Sequence, residues 1–145
     1  MYFVDRDTIE ETLHFLDRQI SLFTDQEQWE TPIEKAALER LAHTIVEAIL
    51  DVGNMMIDGF IMRDPGSYED IIDILLDETV ITAEMHQAYK SLIPFRKMTV
   101  QQYINVDHVL LRDSFKKEMP SLKLFSGKVR SYLTNELGPV SAFKR

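Results

Sequence analysis

The chain has 145 residues, a net charge of −8, 45% hydrophobic and 28% charged residues, and only five glycines and five prolines. This composition is typical of a globular protein, excludes a disordered chain, and at this length predicts a single domain over residues 1–145. Because cysteine is absent, disulfides, thiolate metal sites and cysteine nucleophiles are excluded. The sequence has no signal peptide and no run of about 18 apolar residues, so we expect a cytoplasmic protein that does not span a membrane.

Two long amphipathic helices are predicted in the first 60 residues. Asp5 is the expected N-cap of the first, which runs to about Thr24 with a regular apolar stripe. Thr31-Pro32-Ile33-Glu34 combines a capping hydroxyl, a proline at the first helical position and a glutamate three residues after the cap, so a long helix should follow as far as Gly59. The apolar positions of this second helix cover more than one narrow stripe. We therefore expect it to be central and to contact a twin subunit as well as its own bundle.

The second half of the chain predicts shorter helices. Ser67 and Thr82 are the expected caps of a third and a fourth helix, and Pro94 should end or kink the fourth and start a new segment. No convincing strand, internal repeat or linker is present.

The last helix should begin after Asp107, bend or break at Met119-Pro120, and stop at Gly138-Pro139. Short connections between amphipathic helices favour an antiparallel packing. The predicted fold is therefore all-α, an antiparallel bundle of about five to six helices that forms a homodimer.

Charge is distributed unevenly along the chain. Residues 1–85 carry 5 basic and 20 acidic side chains, whereas residues 86–145 carry 11 basic and 4 acidic ones. The basic half could attract phosphate locally despite the negative net charge. Alternatively, the two halves neutralise each other in the fold or across a dimer.

Common catalytic and metal-binding patterns do not occur. The five glycines are isolated, so there is no glycine-rich phosphate loop, and no metal-ligand spacing is present. The histidines are scattered and are interpreted as surface or packed residues rather than ligands: His14, His43, His86 and His108. We therefore predict neither a metal site nor a cofactor.

The segment from Phe95 to Tyr103 is the candidate functional site. Arg96 and Tyr103 are seven residues apart and would lie within about 20° of each other on an ideal helix, so they should share a face. Gln101 would lie about 140° from Arg96, and a site that used both would need a distorted helix or a second subunit. The alternative interpretation is a solvent-facing arginine beside a half-buried tyrosine.

The sequence resembles the HepT-like family of the HEPN superfamily, also called domain of unknown function 86. The likeness is carried by Phe3-Val4-Asp5, Leu38-Glu39-Arg40, Glu47-Ala48-Ile49-Leu50-Asp51-Val52, Pro65-Gly66-Ser67-Tyr68 and the segment from Arg96 to Tyr103. The functional signature of the family is Arg-Asn, a spacer, His, one residue and Tyr.

Only the two ends of this signature are present in the chain. Arg96 and Tyr103 match the arginine and the tyrosine, but Lys97 replaces the usual asparagine and Gln101 the expected histidine. His108 lies outside the pattern.

The resemblance implies a metal-independent endoribonuclease toxin that works as a homodimer, with Arg96 stabilising charge on the phosphate and Lys97 contributing to RNA binding. Histidine would move the proton in such a reaction, whereas the amide of Gln101 does not titrate near neutrality. Losing a positioned acid or base typically costs about 10² to 10⁴ in rate, so we expect weak or absent ribonuclease activity. The family partner is a separate nucleotidyltransferase antitoxin that can transfer AMP to the motif tyrosine, here Tyr103.

Three hypotheses follow. The first is a HepT-like ribonuclease toxin, or a weakened descendant, that acts through Arg96 and is regulated at Tyr103. The second is a non-enzymatic, dimeric helical module that binds a nucleotidyltransferase or another protein. The third is a generic helical scaffold, which would be favoured if Arg96 and Tyr103 were buried in the monomer core.

Overall fold

A computed structural model describes residues 2–138 and is built from α-helices. The helices are α1 (Arg6–Asp25), α2 (Pro32–Gly59), α3 (Tyr68–Asp77), α4 (Ala83–Leu92), α5 (Pro94–Val100) and α6 (His108–Leu137). The described residues contain no strand, and the predicted all-helical bundle is confirmed. None of these six helices has an apolar stretch long enough to cross a lipid bilayer.

The predicted helix starts are confirmed by their capping hydrogen bonds. Asp5 accepts from the Thr8 N–H at the start of α1, and Thr31 and Glu34 form the reciprocal capping box of α2. The side chains of Ser67, Thr82 and Asp107 accept the corresponding N–H bonds at the starts of α3, α4 and α6. Each cap satisfies a backbone donor that has no partner within its helix.

Helix α2 is the centre of the bundle, as predicted. It contacts α1, α3, α5 and α6, and most of its apolar residues from Leu38 to Ile57 are buried in one continuous core. Gly53 allows α3 to come close, because a Cβ there would lie 2.6 Å from Ile71 Cγ2. The apolar surface that suggested contact with a twin subunit is thus covered by the protomer itself. That basis for the homodimer was wrong, and the homodimer stays a prediction.

The two internal prolines have different effects. Pro94 begins α5 directly after α4, so the predicted boundary is confirmed. Pro120 does not break α6, which is a single helix from His108 to Leu137. Pro120 and Lys116 are both exposed, so water can reach the carbonyl that lacks a donor, while Met119 and Leu122 on either side of the proline are buried in the core. Helix α6 ends at Gly138, with φ of 82°, and Pro139 lies outside the described residues.

Several ion pairs join the acidic and basic halves of the chain. Arg130 Nη2 lies 2.7 Å from Glu10 Oε1, and Lys90 Nζ lies 3.0 Å from Asp73 Oδ1. Part of the charge asymmetry is therefore neutralised inside the protomer. Exposed lysines remain on α6 at positions 116, 117, 123 and 128.

Candidate functional site

Helix α5 is anchored so that Arg96 reaches α2. Phe95 is buried, and its ring lies 5.9 Å from the ring of Phe115 on α6, measured between centroids. The hydroxyl of Thr99 donates to the Phe95 carbonyl, 2.9 Å away. With one side of this short helix fixed to α6, the next residue, Arg96, is presented to the neighbouring helices α2 and α3.

The Arg96 guanidinium is held by two side chains from different helices. Its Nε donates a hydrogen bond to Glu47 Oε1 on α2, and its central carbon lies 4.1 Å from the centre of the Tyr68 ring on α3. The ion pair with Glu47 raises the pKa of Arg96 above its already high ordinary value, so the group stays charged. The Arg96 side chain is 28% exposed, which leaves part of the cation open to solvent.

Tyr68 is held under Arg96 by the turn that precedes α3. Arg63 donates two hydrogen bonds to Asp70, of 2.8 and 2.9 Å, and the Gly66 N–H donates a third of 2.9 Å. These donors, with Arg63 as the main one, lower the pKa of Asp70 to about 2. The turn between α2 and α3 is therefore tied to the first turn of α3, where Tyr68 is the first residue.

A second carboxylate lies beside the Glu47–Arg96 pair. Asp51 is one helical turn after Glu47 on α2, so both side chains project from the same face. Burial, followed by the negative charge of Glu47, raises the pKa of Asp51, while the Arg96 charge opposes the shift. Asp51 forms no hydrogen bond or ion pair with any other side chain in residues 2–138. Arg96 thus faces two carboxylates, only one of which is paired with it.

The second half of the motif is a surface loop. Helix α5 ends at Val100, where the Lys97 carbonyl accepts the N–H groups of Gln101, at 2.8 Å, and Gln102, at 3.2 Å. Gln101 is exposed, and Tyr103 is 66% exposed. The prediction that Arg96 and Tyr103 share one face of a helix was wrong, because the helix ends three residues before Tyr103.

The structure also decides between two interpretations of this segment. Arg96 is half-buried and Tyr103 is exposed, which is the reverse of a solvent-facing arginine beside a half-buried tyrosine. The ring in contact with Arg96 is that of Tyr68. Because neither Arg96 nor Tyr103 is buried in the core, the condition that would favour a generic scaffold is not met. Lys97 is exposed next to Arg96.

The loop is fixed at its far end by a histidine. His108 Nε2 lies 2.6 Å from Glu39 Oε2, which ties the start of α6 to α2. His14 and His86 also lie beside carboxylates, and the buried Nδ1 of His43 has no hydrogen-bond partner in residues 2–138. Within the same residues, no group of three or more potential ligands is placed to hold a metal ion.

The sequence singled out Arg96 as a candidate but did not indicate the side chains that surround it in the fold. Glu47, Asp51 and Tyr68 lie in segments that carry the family resemblance, yet none was assigned a role. One signal was available: two carboxylates four residues apart interrupt a helix that is otherwise rich in buried apolar residues. Their convergence with Arg96 depends on how α2, α3 and α5 pack, which no local pattern specifies.

The fold is an all-helical bundle in which an arginine is held between α2, α3 and α5 and paired with a carboxylate, and the described residues contain no metal-ligand cluster. The chain belongs to the Ribonuclease HepT-like family, whose model matches residues 9–129.

The similarity to known proteins extends over the whole length. A Bacillus subtilis protein named "Putative RNase YutE" is 53% identical over 144 residues, which cover 99% of this chain and 100% of the relative. The solved structure of YutE from Bacillus subtilis, described there as a cytosolic protein of unknown function, matches with a TM-score of 0.95 and 52% identity over 99% of this chain and 100% of that one. The family resemblance inferred from the sequence is confirmed.

Proposed function

We propose that this protein is a metal-independent endoribonuclease of the HepT type, the toxin of a toxin–antitoxin pair, whose activity is weakened by Gln101. The observation that carries the proposal is the Arg96 centre, where a charged guanidinium is held in place by Glu47 and Tyr68 and is still partly open to solvent. A fixed cation of this kind can stabilise the negative charge that develops on phosphate during RNA cleavage. The relative named as an RNase supports the same reaction class.

The low rate follows from the chemistry of residue 101. Its amide can donate and accept hydrogen bonds, but it cannot take a proton from a 2′-hydroxyl near neutral pH. The side chain is exposed at the end of α5, so it is accessible to a substrate bound across this end of the helix. Lys97, also exposed, adds a positive charge for the RNA backbone.

The proposed regulation acts on Tyr103. Tyr103 is 66% exposed and its hydroxyl makes no hydrogen bond to the described residues, so a nucleotidyltransferase partner could reach it and transfer AMP. We place both proteins in the cytoplasm, the compartment stated for YutE. Incubation with the candidate partner and ATP should add one AMP to the wild-type chain and none to Tyr103→Phe, as measured by intact-mass spectrometry. Equal modification of both chains would exclude Tyr103 as the acceptor.

A second candidate function is a dimeric module that binds a nucleotidyltransferase or another protein without cleaving RNA. The observation in its favour is the apolar character of the exposed loop and its neighbour, since Val100, Tyr103 and Ile104 are 48%, 66% and 81% exposed. Clustered exposed apolar residues are typical of interaction sites. This function predicts a stable complex that survives Arg96→Ala but is weakened by Ile104→Lys, as measured by light scattering.

The experiment that separates the two is RNA cleavage in excess chelator. We expect slow cleavage by the wild type and a loss of at least about 10² in rate in Arg96→Ala. Arg40→Ala is the matched control, because Arg40 is an exposed arginine whose side chain forms no ion pair in the described residues. Absence of cleavage by the wild type, or equal cleavage by Arg96→Ala, would contradict the ribonuclease proposal.

A further inference from the structure

We propose that Asp51 is the general base of the RNA-cleaving reaction and carries the residual activity that remains without a motif histidine. The inference rests on the ribonuclease function proposed above and names a residue for which the family signature has no position. The reaction needs a group that accepts the proton of the 2′-hydroxyl when the 2′-oxygen attacks phosphorus. Gln101 cannot be that group, because its amide does not titrate near neutral pH.

Asp51 lies next to the side chain that holds Arg96. Glu47 and Asp51 project from adjacent turns of α2, and Glu47 is the carboxylate that holds Arg96 Nε. The Arg96 charge also acts directly on Asp51, opposing the effects of burial and of Glu47 on the pKa of that carboxyl. A phosphate bound at the open side of the guanidinium would therefore lie close to Asp51.

Asp51 is available to accept a proton, because no other side chain of the described residues engages it. Glu47 is occupied by Arg96, whereas Asp51 forms no hydrogen bond or ion pair in the part of the chain that the structure describes. The neighbouring helices shield part of the Asp51 carboxyl from water, but the residue as a whole is exposed enough for a ribose to reach it. Most other acidic groups around the site are engaged, since Asp70 is held by Arg63 and Asp73 is shared by His86 and Lys90.

The surroundings of Asp51 make its carboxylate more basic than an ordinary one. A carboxylate with a raised pKa accepts a proton more readily than an ordinary one. The pKa of Asp51 is raised, mainly by burial, and Glu47 adds to the shift. The titratable groups around Asp51 come from three helices. They are Glu47 on α2 itself, Arg96 on α5 and Tyr68 on α3, whose ring stacks on Arg96.

The proposed step balances without a cofactor. Asp51 takes the proton of the 2′-hydroxyl, the 2′-oxygen forms a bond to phosphorus, and the bond from phosphorus to the 5′-oxygen breaks. The leaving oxygen takes a proton from water, and Asp51 returns its proton to solvent. Arg96 stabilises the extra charge on the phosphate oxygens. The products are a 2′,3′-cyclic phosphate and a 5′-hydroxyl.

The test compares cleavage of a single-stranded RNA by wild type, Asp51→Asn, Asp51→Glu, Arg96→Ala and Asp58→Asn in excess chelator. Asp58 is the matched control, because it is an exposed aspartate on α2 whose side chain also has no described partner. Binding of the same RNA with 2′-O-methyl groups, which cannot be cleaved, is measured in parallel, and thermal unfolding confirms that each variant is folded.

We expect Asp51→Asn to lower the rate by about 10² or more while RNA binding is unchanged or tighter, since a negative charge has been removed. Asp51→Glu should keep part of the activity, and Asp58→Asn should match the wild type. The wild-type rate should rise with pH through an ionisation above the ordinary aspartate value, and this rise should be absent in Asp51→Asn.

Two outcomes would overturn the proposal in distinguishable ways. If the wild type cleaves, Arg96→Ala does not, and Asp51→Asn is as fast as the wild type or faster, Asp51 is not the base and the ribonuclease function stands. If the wild type does not cleave at all, both the base and the ribonuclease function are wrong.

Discussion

The two ends of the Arg96–Tyr103 motif are built differently. Arg96 lies in a helix that is fixed to the core through Phe95, and its guanidinium is held by Glu47 and Tyr68 from two other helices. Tyr103 lies in a loop, is 66% exposed and has no described hydrogen-bond partner. A group that stabilises charge needs a fixed position, whereas a group that receives a modification needs access. The motif thus combines a preorganised half with an accessible half.

The support of Arg96 can be removed by Glu47→Gln, which keeps the shape of the side chain but removes the charge that holds the guanidinium. We expect RNA cleavage to fall by about 10- to 100-fold, because small displacements of a positioned catalytic group are costly. The free energy of unfolding should fall by about 1 kcal/mol, since both partners are partly exposed. Cleavage rates and urea unfolding measure the two effects. Glu11→Gln, an exposed glutamate without a described ion pair, is the control.

Faster cleavage in Glu47→Gln would contradict this account. It would show that Glu47 competes with RNA phosphate for Arg96 and that the pair restrains the site.

A smaller effect is expected from Tyr68, which supports Arg96 through its ring. Tyr68→Leu should lower the cleavage rate by about two- to fivefold, because a partly exposed cation–π contact is worth about 0.5–1 kcal/mol. Tyr68→Phe keeps the ring and should behave like the wild type. Steady-state cleavage of the same RNA distinguishes the two variants. If both variants lost activity equally, the hydroxyl and not the ring face would be the supporting group.

The smallest effect on the protein near neutral pH is expected from Asp70, whose carboxylate fixes the turn before α3 to the first turn of that helix, next to Tyr68. The pKa of Asp70 in the folded protein is about 2, below the ordinary value of 3.8. The folded state therefore binds a proton at this carboxyl less readily than the unfolded state does. The resulting stabilisation is present above the ordinary value and is lost as pH falls towards about 2. Melting temperatures from about pH 6 to about pH 2.5 should therefore fall less steeply in Asp70→Asn than in the wild type. Asp64→Asn, an exposed aspartate in the same turn, should keep the wild-type slope.

The sequence predicted those parts of the structure that depend on local chemistry. Each capping residue accepts a hydrogen bond from a nearby backbone N–H, so its role can be inferred from a few neighbouring residues. The capping residues are Asp5, Thr31, Ser67, Thr82 and Asp107. The family motif pointed to the segment from Arg96 to Tyr103, and the roles of these two residues stay predictions.

The remaining features depend on tertiary packing. The contacts of Arg96 with Glu47 and Tyr68 join residues 49 and 28 positions apart, and no pattern along the chain shows which carboxylate faces the arginine. The ideal-helix comparison of Arg96 with Tyr103 failed because it assumed a helix that in fact ends at Val100. The predicted break at Pro120 does not occur, because the residues on both sides of the proline are buried in the core and hold α6 in place.

The central claim is that the Arg96 half of the motif is intact and that, of the motif's reactive side chains, only the histidine is missing, with Gln101 in its place. Gln101→His tests it most directly, by metal-free cleavage of RNA compared with the wild type and with the double variant Gln101→His, Arg96→Ala. The account predicts a gain of about 10² to 10⁴ in rate that disappears in the double variant. An unchanged rate in Gln101→His, or a gain that persists without Arg96, would contradict it.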